Sequence, residues 1–109
     1  MIKYIKNFIV VLVFASVHVA AAEHYAKKVN NVQVNALNGC IYFTLDGVAE
    51  ADPVMPGQPW ITVASDSASK QEVLSLLMMA QASKSNVKVV TSGEKACGYA
   101  GVHYVRVTN

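Results

Sequence analysis

Apolar and polar positions alternate along the middle of this chain in short stretches, broken by residues that favour turns. Around Asn38-Gly39, the pair preferred in a type I′ two-residue hairpin, the alternation is ordered on both sides. With the turn at 38–39, Leu37 faces Cys40, Ala36 faces Ile41, Val34 faces Phe43 and Val32 faces Leu45. That register gathers Val32, Val34, Ala36, Ile41, Phe43 and Leu45 on one face, with Gln33, Asn35, Tyr42 and Thr44 on the other. A slip of one residue would undo the sorting. The pattern predicts a hairpin of 30–37 with 40–46.

Residues 47–59 hold three prolines and two glycines and read as a loop. Trp60 to Ala64 is a short β-branched strand. Ser69-Lys-Gln-Glu72 has capping-box spacing and opens a helix that runs to Ser83. Val73, Leu76, Leu77 and Ala80 form its core stripe. Leu74 and Met78 widen the stripe to an arc of roughly 200°, and Met79 lies beyond it. The helix is either lodged between sheet and loops or offers a second apolar face to another subunit. Strands follow at 86–91, with Val87 and Val89 on one face, and at 102–107. Residues 23–28 show no pattern and read as a loose lead-in, and 92–101 as a connection. The order is β-β-β-α-β-β. The expected class is mainly β (α+β), a small five-stranded antiparallel OB-like barrel with one helix.

The first residues carry a different signal. Lys3 and Lys6 precede an unbroken apolar run from Phe8 to Phe14, and Ala20-Ala21-Ala22 places small residues at −3 and −1 of a signal-peptidase cut. The apolar stretch, with His18 inside it, is shorter than the ~20 residues of a span and lacks a stop-transfer cluster. The expectation is a signal peptide over 1–22, cleavage after Ala22, and one OB-like domain over 23–109. The mature chain is then exported, periplasmic or secreted, with no membrane span. Removing Lys3 and Lys6 from nine basic residues leaves seven against seven acids, a net charge of zero. Without a basic field, nucleic acid is not expected as a partner.

A domain this small buries too little surface to be robust by packing alone. Cys40 and Cys97 are its only cysteines, and export places them where an even count means a bridge. Metal ligation lacks further Cys or clustered His, and a redox pair lacks C-x-x-C spacing. A Cys40–Cys97 crosslink would stabilise by about 4 kcal/mol through loop closure.

Candidate chemistry is sparse. No catalytic residue set is assigned: His24 lies beside the cleavage site, His103 sits alone in a strand, and no G-x-S-x-G frames a serine. Asp46, Glu50 and Asp52 share a loop but not the spacing of a calcium loop, and read as a solvated acidic loop. No metal and no cofactor are expected. Aromatic residues remain: Trp60, Tyr42, Tyr99 and Tyr104 can stack on a sugar face or simply pack. Tyr99, between Gly98 and Gly101, is the one expected to be exposed.

The leader, the strand pair, Trp60 opening a strand, the run Gln71 to Ser83, Val87-Lys-Val-Val90 and Cys97-Gly98 before a closing Val-rich strand together resemble a known group. They look like small exported bacterial proteins related to the B subunits of AB5 toxins, of the subtilase-cytotoxin and pertussis-like type. The resemblance covers most of 30–107. It implies an OB-type barrel, a homo-oligomeric ring with helices lining its centre, and recognition of a cell-surface glycan. The chain departs from that type in having two cysteines only, with Cys40 directly after the turn. No sugar pocket matches residue by residue, so no binding residue is carried over. A second class of function is a small periplasmic inhibitor or envelope accessory protein acting through an exposed loop such as 47–59.

Overall fold

The computed structural model describes residues 21–108. The leader expected over 1–22 therefore lies outside the described residues up to position 20. The elements are β1 (Glu23–Lys27), β2 (Val29–Val34), β3 (Ile41–Leu45), β4 (Ile61–Val63), α1 (Lys70–Ser83), β5 (Val87–Ala96) and β6 (Tyr99–Val107). The domain is mainly β with one helix. All six strands belong to one sheet in the order β1-β5-β6-β4-β3-β2. Every ladder is antiparallel except β4 with β6, which is parallel.

Two expectations need correction here. The sheet has six strands rather than five, because residues 23–27 are not a lead-in but a strand paired with β5. It is also not wholly antiparallel. No ladder joins β1 to β2 among the described residues, so hydrogen bonds do not close the sheet into a barrel. Yet these two edge strands are consecutive in the chain, with Lys28 alone between them. Backbone kinks explain the break. Ala26 (φ 56) falls where the β1–β5 register shifts, and Asn31 (φ 52) falls where the β2–β3 register shifts. One run of chain is thus bent twice and delivered to opposite margins of the sheet.

The β2–β3 hairpin forms in a register other than the expected one. Val34 pairs with Ile41, Gln33 with Tyr42, Asn30 with Thr44 and Val29 with Leu45. The reason lies in two asparagines. Asn35 Oδ1 accepts from Leu37 N and Asn38 Oδ1 from Cys40 N, both at 2.9 Å. Asn35 N in turn donates to Cys40 O at 2.9 Å. Both side chains fold the backbone onto themselves, and the turn widens from two residues to the four between Asn35 and Cys40. Leu37 projects into solvent at 98% exposure, and Val34 is 54% exposed instead of lying in the core. Positive φ at both central positions, the mark of a type I′ turn, occurs instead at Cys97 (φ 53) and Gly98 (φ 84), between the paired residues Ala96 and Tyr99. The expected connection 92–101 is accordingly strand on both sides of that turn.

The core gathers Ile41, Phe43 and Leu45 of β3, Ile61 and Val63 of β4, Val87 and Val89 of β5, and Leu77 and Ala80 of α1. Val73 and Leu74 pack against it from the helix. The expected capping box does not form: Ser69 precedes the helix without a side-chain hydrogen bond, and only its carbonyl accepts from Val73 N at 2.9 Å. The helix ends on Lys84 in the left-handed conformation. Met78 and Met79 remain 52% and 46% exposed. No helix among the described residues is long and apolar enough to cross a membrane. The Cys40–Cys97 disulfide is present, spanning 57 positions and joining the β2–β3 turn to the β5–β6 turn.

Candidate functional site

Three of the four aromatic candidates converge. Tyr42 is the second residue of β3, Trp60 lies immediately before β4 and Tyr99 at the start of β6, and the sheet order places these strands side by side. Tyr42 stands edge-on to both neighbours, 6.0 Å from Tyr99 at 84° and 6.5 Å from Trp60 at 86°, measured between ring centroids. Edge-to-face pairs of this kind add about 0.5–1.5 kcal/mol each beyond area burial. Tyr42 is buried, and Trp60 and Tyr99 are half-buried; Tyr99 is thus not the exposed ring expected, and of the four candidates only Tyr104 is exposed.

Polar groups border the rings. Asn38 Nδ2 donates to the Tyr42 hydroxyl at 3.0 Å. Thr62 pairs with Tyr42 across β3 and β4. Its hydroxyl carries one proton and two nearby carbonyls, Ala96 O at 2.6 Å and Ala100 O at 3.1 Å. The shorter contact takes the proton, which ties β4 to the Cys97-Gly98 turn. The disulfide fixes the same turn from the other side. The cluster is therefore held by a crosslink, a buried hydroxyl and a two-residue turn. What it offers chemically is ring faces for stacking beside an amide and a phenol for hydrogen bonding.

Tyr104 lies apart. It is five residues along β6 from Tyr99, roughly 16 Å in an extended strand. Its neighbours are His103 at 5.6 Å, Lys88 at 6.0 Å and Arg106 at 6.0 Å. Lys88 also lies 5.7 Å from the Tyr25 ring, and its ammonium reaches Glu23 at 3.7 Å. This second patch of Tyr25, Lys88, Tyr104 and Arg106 escaped sequence reading, because Tyr25 fell in a segment with no pattern. The periodicity of β5 does put Lys88 opposite the core face, which is the signal that was available.

The acidic loop is not solvated throughout. Asp46 and Glu50 are exposed, but Asp52 is fully buried. Its Oδ1 accepts from Val54 N at 2.8 Å, and its Oδ2 accepts from Gly93 N at 3.1 Å and Thr91 Oγ1 at 2.5 Å. Glu50 Oε1 accepts from Gly57 N at 3.0 Å, closing the loop on itself. His24 Nε2 donates to Ala51 O at 2.7 Å, which gives that histidine a structural partner. His103 is exposed. Among the described residues, no three His, Cys, Asp or Glu side chains come together as a metal site would require. No protein-family model matches the chain, and no curated protein matches it.

Proposed function

We propose that this chain is an exported, non-enzymatic binding module of OB type that takes a glycan on the Tyr42–Trp60–Tyr99 cluster. The observation that carries the reading is the convergence of three aromatic rings on one crosslinked corner, two of them half-buried rather than buried. Sugar rings present C–H faces that stack on aromatic carbon, with hydroxyls left over for an amide or phenol. The architecture supports the OB reading in three ways. A helix lies between β4 and β5, β4 and β6 run parallel, and the two ends of the ladder are halves of one bent segment. The resemblance to AB5-toxin B subunits adds assembly of copies through α1, for which Met78 and Met79 supply exposed apolar surface.

Glycan-array binding of the mature chain tests the reading. Binding that is lost in Trp60→Ala and Tyr99→Ala, with unchanged far-UV circular dichroism, supports it. A natively folded chain that binds no glycan removes it. Light scattering that finds only monomer at high micromolar concentration removes the ring.

A second reading, an inhibitor or envelope accessory protein, draws on the 47–59 loop. Ala51 N donates to Gln58 O and Met55 N to Asp52 O, both at 2.9 Å, so the exposed Pro53, Pro56 and Gly57 project from a preorganised base. Recovery of one envelope enzyme from a periplasmic extract, lost when Pro53 and Pro56 are both replaced by glycine, would favour it over the glycan reading.

A further inference from the structure

Asp52 brings a whole carboxylate into the core, and among the described residues no Lys or Arg pairs with it. Among the described residues the single ion pair is Lys88 with Glu23, on the surface. A buried charge of this kind needs a counter-charge or a complete set of donors. The path from Asp52 leads through Thr91, which is 1% exposed, to the main chain of Ala22. Thr91 Oγ1 donates to Asp52 Oδ2 at 2.5 Å and accepts from Ala22 N at 2.8 Å. Thr91 N donates to Ala22 O at 2.9 Å. Thr91 Oγ1 also lies 3.4 Å from Ala22 O, but the shorter contact, to the charged acceptor, takes the hydroxyl proton.

We propose that the mature protein begins at Ala22, and that the buried Thr91–Asp52 pair is the seat of its α-ammonium group. The proposal rests on the reading of the chain as exported. A peptidase of the signal-peptidase class would add water across the Ala21–Ala22 bond, leaving a carboxylate on Ala21 and an amine on Ala22. That amine is protonated at neutral pH. Ala22 N and Asp52 Oδ2 are no farther apart than two hydrogen bonds laid end to end, within the range of about 4–6 Å at which opposite charges act directly. Asp52 already holds three hydrogen-bond donors; cleavage adds a cation to them by converting the neutral amide one hydroxyl away.

The geometry distinguishes this cut from the one after Ala22 that the Ala-x-Ala spacing suggests. A chain beginning at Glu23 loses Ala22 O, the acceptor of Thr91 N, and the donor to Thr91 Oγ1. Both groups belong to a buried residue, where unpaired polar atoms are costly. The cut before Ala22 keeps them paired, with Val19 at −3 and Ala21 at −1.

The test is the intact mass and N-terminal sequence of the full chain expressed with its own leader in a bacterium. The expected exported form starts at Ala22. A start at Glu23, or at any other residue, overturns this proposal and leaves export standing. An uncut chain retained in the cytoplasm overturns both. A second measurement compares the melting of the mature chain with that of the same chain carrying one extra glycine before Ala22. The expected result is a loss of several degrees on extension, abolished when both carry Asp52→Asn. Equal melting of the two unsubstituted chains overturns the seat for the ammonium.

Discussion

At the scale of single residues, the polar groups that matter most are those the fold hides. Asp52 terminates three donors, two of them backbone amides, at half-buried Val54 and at buried Gly93. Asp52→Ala is expected to lower stability by about 3 kcal/mol, since each buried donor left without an acceptor costs about 1–3 kcal/mol; urea denaturation of the purified domain measures it. The bond from Val54 N turns the Asp52 side chain onto its own backbone, where a solvated acidic loop was expected. Its burial was not legible, because Thr91 and Gly93 lie some forty positions further on. Asn35 and Asn38 teach the same lesson. Their side chains outcompete the two-residue turn that Asn38-Gly39 encodes on its own.

At the scale of elements, strong periodicity survived and edges did not. The helix lies where its apolar stripe put it, and Val87 and Val89 face the core as their alternation required. Strand β1 was invisible because Glu-His-Tyr-Ala-Lys buries no side chain fully and its ladder is interrupted at Ala26. The wide apolar arc of α1 resolves into a buried Leu77 and Ala80, with Val73 and Leu74 half-covered against the core, Leu76 of the expected stripe half-buried outside that core, and Met78 and Met79 open. Leu77→Ala is therefore expected to cost about 2–5 kcal/mol. Ser69→Ala is expected to change stability by less than about 0.5 kcal/mol, against about 1 kcal/mol for a working cap. Paired thermal melts of the two variants check both figures, and a large loss in the serine variant would restore the capping box.

At the scale of the whole molecule, the disulfide and the sheet order assemble the aromatic corner. Tyr42, Trp60 and Tyr99 could be named one by one from the sequence, but their grouping depends on β6 lying beside β4, a parallel pairing that no local pattern announces. Tyr104 stands apart from them, five residues further along β6 and beyond the register shifts of its ladder with β5. Breaking the crosslink in a Cys40→Ser, Cys97→Ser chain is expected to remove about 4 kcal/mol by loop-closure entropy, a large share of what so small a domain possesses. Denaturation of the two forms under identical conditions measures the difference. The segment 23–34 has a wider consequence. It hems the sheet on both sides, so proteolytic trimming before Val34 would strip β5 and β3 at one stroke. A clipped chain would trade the short, kinked edges β1 and β2 for the bared flanks of β5 and β3, each a template for a neighbour's strand. Copies shorn in this way should knit into insoluble fibres while intact ones stay dispersed.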